Sequence, residues 1–144
     1  VSIPFRLILP ASLYAAMVAQ AQAESPLECC GLLAGTIGTD GTARATGRYP
    51  LVNAAASPVR FESDPRSMFD AVRAIARAGL DILAVYHSHP TSPPVPSRTD
   101  LAENYSEAVM TLIVGLTTDP PTVRAWWLTA TAYREGEFVV VPAE

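Results

Sequence analysis

The sequence predicts an α/β fold in which one mixed, mostly antiparallel β-sheet is flanked by helices. Apolar runs of strand length outnumber helical stretches, and the two kinds occur in mixed order, which favours a sandwich around one sheet over a doubly wound fold. The chain has 144 residues, 49% apolar and 17% charged, enough to close a core as a single domain spanning residues 1–144.

Each element has its own signal. Residues 3–9 read as a strand, followed by a helix over Ala11–Glu24 that Ser25-Pro26 ends. Leu13, Tyr14, Met17, Val18 and Ala21 recur there at helical spacing, as in an amphipathic helix packed on a core. Glu28 opens a second strand, whose apolar run 29–34 is closed by the Gly- and Thr-rich turn 35–41, and residues 43–52 return as its hairpin partner. Asp64 followed by Pro65 is an N-cap with proline in the first turn. From there Met68, Phe69, Val72 and Ile75 supply one apolar face of a helix up to Gly79. Residues 82–86 read as a buried strand, 98–104 as a short helix, and 108–115, 123–129 and Phe138–Val141 as further strands.

Composition narrows the function. A formal charge of −4, with ten basic residues scattered along the chain, argues against a nucleic-acid surface, which needs a dense Lys/Arg stripe. Arg6, the apolar stretch 7–18 and Ala21-Gln22-Ala23 imitate a signal peptide. Pro10 and Ser12 interrupt that stretch, however, and its helical periodicity points to a core helix. No other segment has the apolar length to span a bilayer, so the expectation is a cytoplasmic protein with neither nucleic-acid nor membrane partners. The two cysteines, Cys29 and Cys30, are adjacent and cannot staple distant segments, which excludes a disulfide-built secreted scaffold. On a strand they face opposite ways, and a small buried apolar residue is the better reading of each. Trp126 and Trp127 alternate in the same way, one expected in the core and the other outside, where it could touch a partner.

The most informative stretch runs from His87 to Asp100. It holds the only two histidines, two residues apart at the end of an apolar run, with four prolines between Pro90 and Pro96 stiffening the loop that follows. Side chains at i and i+2 of a strand share a face, so both imidazoles converge while Ser88 points away. Pro90 biases His89 toward extended backbone and keeps the second imidazole on that face. Asp100 can return a carboxylate, giving a His, His, Asp set whose fourth position stays open for water, the arrangement of a catalytic rather than a structural zinc site. Plainer readings exist for each residue. The histidines could be polar residues ending a strand, Glu28 an exposed carboxylate, and Ser97-x-x-Asp100 a capping box. A helix starting at Ser97 would itself hold Asp100 rigidly in its first turn.

Taken together, Glu28-Cys29-Cys30-Gly31-Leu32-Leu33-Ala34-Gly35, His87-Ser88-His89-Pro90, the seven residues 90–96 and Ser97-x-x-Asp100 closely resemble the JAMM/MPN+ zinc metallopeptidase family in its compact prokaryotic form. In that family HxHx7SxxD with an upstream glutamate is a specific signature, and no signature position is missing here. The resemblance covers most of the chain and implies an MPN or cytidine-deaminase-like sandwich. It implies a Zn2+ cofactor with His87, His89 and Asp100 as ligands, Glu28 as general base and Ser97 as oxyanion helper. Zinc held by two neutral imidazoles and a carboxylate keeps a net positive charge and lowers the pKa of bound water to about 7. A placed donor such as the Ser97 hydroxyl is typically worth roughly 3 kcal/mol to an oxyanion. The implied substrate is a ubiquitin-like or sulfur-carrier protein cut after a C-terminal Gly-Gly, with a narrow channel selecting glycine. Two other functions are compatible with parts of the pattern: a non-catalytic MPN-type module that grips carrier tails, and a DNA-repair-associated non-peptidase relative. The complete ligand set and Glu28 weigh against the first, the acidic balance and the Glu28 segment against the second.

Overall fold

In a computed structural model, which describes residues 4–142, the elements follow the order β1 (Arg6–Pro10), α1 (Ala11–Glu24), β2 (Cys30–Ile37), β3 (Thr42–Leu51), α2 (Pro65–Arg77), β4 (Asp81–His89), α3 (Arg98–Ala102), β5 (Met110–Gly115), β6 (Thr122–Leu128), β7 (Tyr133–Glu135) and β8 (Phe138–Val141). The strands form one mixed sheet in the order β7-β6-β5-β4-β2-β3-β1-β8. The β2–β3, β2–β4, β5–β6 and β6–β7 pairings are antiparallel; β1–β3, β1–β8 and β4–β5 are parallel. The expected class, a mixed and mostly antiparallel sheet with flanking helices, is the one observed. The start of the first expected strand, Ile3, lies outside the described residues.

The helices cover opposite faces. Met17 and Ala21 of α1 are buried with Ala84 and Tyr86 of β4, whereas Ala71 and Ile75 of α2 are buried with Val85 of β4 and Leu32 of β2. Successive residues of β4 thus feed two different cores, as the pleat requires. The expected amphipathic face of α1 is present, with Leu13, Tyr14 and Val18 packed at its margin. No described helix is long and apolar enough to cross a membrane.

Three expectations need correction. The buried stripe of α2 runs through Met68, Ala71 and Ile75, so Phe69 and Val72, each about 100° further round per residue, point to solvent, Phe69 at 58% exposure. Trp126 and Trp127 do face opposite ways, yet both are buried. Trp127 sits edge-on to Phe5 in the main core, while Trp126 packs with Ile113 and Leu128 beneath Val95 and Leu101. Finally, β2 begins at Cys30, so Glu28 lies in the segment just before the strand rather than opening it. The short strand β7 carries no sequence signal, since all three of its residues are exposed.

The start of α2 is as the sequence indicates: the Asp64 carboxylate accepts the Ser67 N–H at 2.9 Å and Pro65 fills the first turn. Gly79, at φ +72°, ends the helix in a left-handed conformation that costs other residues more. Cys29 and Cys30 are fully buried free thiols, and burial pushes both up, Cys30 to about 12, which keeps them protonated and unreactive.

Candidate metal centre

β4 positions the two histidines. His87 and His89 follow Val85 on one face, while Ser88 turns to the other, where its hydroxyl accepts the Cys29 N–H at 2.8 Å. His87 Nε2 and His89 Nε2 lie 3.2 Å apart. Each is 3.1 Å from a different oxygen of Asp100, His87 from Oδ1 and His89 from Oδ2. All three side chains are buried. The convergence expected from the i, i+2 spacing and the returning carboxylate is therefore present.

The loop between β4 and α3 fixes the second imidazole. His89 Nδ1 donates to the Pro93 carbonyl at 2.8 Å, which holds one ring proton on that nitrogen and leaves the Nε2 lone pair for the cluster. The loop is anchored from beneath, because the Trp126 indole N–H donates to the Pro94 carbonyl at 2.9 Å. Pro94 itself packs so closely on Gly115 that a Cβ there would come within 2.7 Å of the proline ring. On the other flank, Phe61 packs against the His87 ring with centroids 4.8 Å apart.

Asp100 is held by the capping box. The Ser97 hydroxyl accepts the Asp100 N–H at 3.1 Å, and Asp100 Oδ2 accepts the Ser97 N–H at 2.9 Å. The capping and ligand readings of these residues are thus compatible, since the cap is what aims the carboxylate at the imidazoles. It also uses only acceptor capacity on the Ser97 oxygen, so the hydroxyl proton stays available to an outside acceptor.

Glu28 is brought alongside. Cys30 pairs with His87 across β2 and β4, and the Ser88 N–H donates to the Cys29 carbonyl at 3.2 Å, so continuing this register sets Glu28 opposite His89. Glu28 is 2% exposed, and its Oε1 has no hydrogen-bond partner among the described residues. Burial pushes its carboxyl up to about 8, with His89 pulling it down and the Asp100 charge pushing it further up. Burial also opposes ionisation of Asp100, but its contacts with His87 and His89 and the Ser97 N–H outweigh it and hold the carboxyl well below the usual range. For His89, burial disfavours the imidazolium, yet Asp100 and the Pro93 carbonyl raise its pKa on balance. The cluster therefore attracts positive charge, whether a proton or a metal ion.

The donor set fits zinc. A tetrahedral ion with bonds of about 2.0–2.1 Å needs ligand atoms about 3.3–3.4 Å apart; the two imidazole nitrogens stand 3.2 Å apart, and one donor atom from each of the three residues lies within 4.8 Å of the others. Two imidazole nitrogens and a carboxylate thus crowd together in a buried place, a grouping that could hold a metal ion. Beside the cluster lies a cavity of ≈ 190 Å³, walled by Leu32, Leu51, Phe61, Met68 and Val85, with His87 and Asp100 at one side.

Sequence reasoning missed the supporting residues. Pro93 acts through its backbone, which no side-chain pattern reveals. Trp126 and Trp127 could not be told apart by their alternation, and Phe61 stands in a polar, loop-like stretch without periodicity. The proline clustering was the one available signal, and it did mark the stiff loop.

Comparison with known proteins places this geometry. The family described as prokaryotic homologs of the JAB domain matches residues 10–129. A desampylase of Haloferax volcanii is 46% identical over 82 residues, 56% of this chain and 56% of that protein. A CysO-cysteine peptidase of Mycobacterium tuberculosis is 38% identical over 95 residues, 66% of this chain and 63% of that protein. The matches thus span little more than half the length of these relatives. In solution structures, a protein of Desulfitobacterium hafniense superimposes with a TM-score of 0.84 at 29% identity, covering 94% of this chain and 93% of that one.

Proposed function

Because the chain belongs to the family of prokaryotic homologs of the JAB domain, we propose that it is a zinc-dependent peptidase or isopeptidase that hydrolyses the amide bond after the C-terminal Gly-Gly of a ubiquitin-like or sulfur-carrier protein. The observation that carries this reading is the buried convergence of His87, His89 and Asp100 with an unpartnered glutamate, Glu28, beside them. Relatives named for the removal of protein modifiers and for release of cysteine from a carrier support the substrate class.

His87 Nε2, His89 Nε2 and Asp100 would hold zinc and leave a fourth position open. Zinc, when bound, acidifies water and polarises the scissile carbonyl. Glu28 takes a proton from the attacking water, for which it must be ionised, and later delivers one to the leaving amine; a bound cation beside it would favour the carboxylate against the burial that raises its pKa in the metal-free site. The Ser97 hydroxyl donates its free proton to the carbonyl oxygen as negative charge develops there. Phe61, wedged against His87, narrows the approach and favours glycine next to the scissile bond.

The test is hydrolysis of a carrier protein whose Gly-Gly tail is conjugated to a lysine or cysteine. Zinc-loaded protein is compared with chelated protein, and the natural tail with one in which both glycines are replaced by valine. Cleavage only with zinc, and only of the Gly-Gly tail, is the expected result. Retention of the conjugate without cleavage by zinc-loaded protein would overturn the reading in favour of a tail-binding module.

A further inference from the structure

Glu28 precedes β2, so neither of its backbone groups is held by the sheet. Both are held instead by the segment after β3: the Glu28 N–H donates to the Ser57 carbonyl at 2.8 Å, and the Asn53 side-chain amide donates to the Glu28 carbonyl at 3.0 Å. The other bonds of that amide converge on the same segment. Asn53 Nδ2 also donates to the Arg60 carbonyl at 3.1 Å, and Oδ1 accepts the Glu62 N–H and the Ala55 N–H, each at 3.0 Å. Arg60 and Glu62 flank Phe61, the residue packed on His87.

A half-buried Asn53 thus spends both donors and both acceptors on backbone, and its four partners are Glu28 itself, the two neighbours of Phe61 and Ala55. The Ala55 bond closes a turn in which Ala56 takes φ 45°, a left-handed value uncommon for a residue with a side chain, and this turn brings the Ser57 carbonyl to the Glu28 N–H. None of its hydrogen bonds goes to His87, His89, Asp100 or Ser97.

We propose that Asn53 is a positioning residue that sets the Glu28 carboxylate and the Phe61 wall at their places beside the metal cluster, so that base and substrate wall are aligned by one side chain outside the signature motif. The proposal deepens the peptidase reading and rests on it for its kinetic consequence, but its structural content stands apart from activity. Asn53→Ala removes all four bonds. Asn53→Asp keeps the two acceptors, which preserves the turn, and sets a carboxylate oxygen against the Glu28 and Arg60 carbonyls.

Both variants are measured against wild type for zinc per chain, for kcat and KM on the carrier conjugate, and for amide hydrogen exchange. A fall in kcat of about tenfold to a hundredfold, with KM and zinc content little changed, is expected for each variant, the size usual for a displaced supporting group. The Glu28 amide exchanges faster in Asn53→Ala, while the amides of β4 keep their protection. A kcat within about twofold of wild type for Asn53→Asp, a loss confined to KM, or a parallel loss of zinc would overturn the proposal. If zinc-loaded wild type cuts no conjugate, the peptidase reading fails, and exchange alone decides: unchanged Glu28 protection in Asn53→Ala rejects the inference, and selective loss sustains it. Should Asn53→Ala not fold, Asn53→Asp supplies the kinetic and zinc comparison, and Asn53→Ser, whose shorter side chain cannot make all four bonds, supplies the exchange comparison.

Discussion

At the scale of single residues, Glu28 carries the sharpest consequences. Its side chain is buried, lacks a partner at Oε1 among the described residues and is not part of the His87, His89 and Asp100 cluster, so Glu28→Gln would remove the proposed base without disturbing that cluster. That variant is expected to retain zinc at the wild-type stoichiometry while turnover falls by about 10²–10⁴, the range for a placed general base; undiminished hydrolysis would remove Glu28 from the mechanism. The same burial predicts a pH effect in metal-free protein. The folded carboxyl keeps its proton up to about 8, against a usual 4.5, so as pH rises through that window the unfolded chain ionises first and the folded state loses stability relative to it. Glutamine has no such titration. Urea unfolding should therefore show Glu28→Gln gaining on wild type between about pH 5 and pH 8, and a difference that stays flat over that span would show the carboxyl to be ionised in the fold.

At the scale of elements, the candidate metal centre depends on a loop rather than on the strand alone. β4 supplies two imidazoles, but the ring of His89 is oriented by the Pro93 carbonyl, whose loop Trp126 tethers from β6 at Pro94. Trp126→Phe keeps most of the packing, removes that N–H and leaves a buried carbonyl unpaired. Zinc affinity is expected to drop by about tenfold or more, as for other groups that orient a ligand indirectly, and a chelator competition giving wild-type affinity would show that the loop needs no tether. This dependence also explains what was legible. The convergence of His87, His89 and Asp100, the cap at Ser97 and the start of α2 at Asp64 could be read because each is a fixed spacing of residue types over a short stretch of sequence. Trp126 could not, because its partner is a backbone carbonyl 32 positions away. Phe69 and Val72 were placed on the buried face because they are apolar; the sheet instead takes Ala71, a smaller residue that lets the helix approach β4 closely.

At the scale of the whole molecule, the site exists only when distant parts of the chain are assembled. The sheet order sets β2 and β5 on either side of β4, so that Glu28, His87 and His89 become neighbours although nearly 60 residues separate the first from the others. Local periodicity gives the strands but not this order, and the family resemblance alone indicated that Glu28 belonged with the histidines. Gly31 shows how the assembly is specified: it pairs with Tyr86, whose ring lies where a Cβ would stand, so β2 accepts β4 in this register only with glycine there. The ring is then tied to α1 through Gln20, with Arg48 of β3 donating to Gln20 at 2.7 Å. Because the ligands come together only in the folded chain, metal should bind the folded state and not the unfolded one. Zinc at about a thousand times its dissociation constant then adds about 4 kcal/mol of stability, which for a chain near this size raises the unfolding midpoint by roughly 8–16 °C. His87→Ala should abolish the rise while unfolding as cooperatively as metal-free wild type. A zinc-dependent rise of equal size in His87→Ala would mean that the stabilising ion sits elsewhere, and the cluster of His87, His89 and Asp100 would then be a buried hydrogen-bonded network closing the core between β4 and α3.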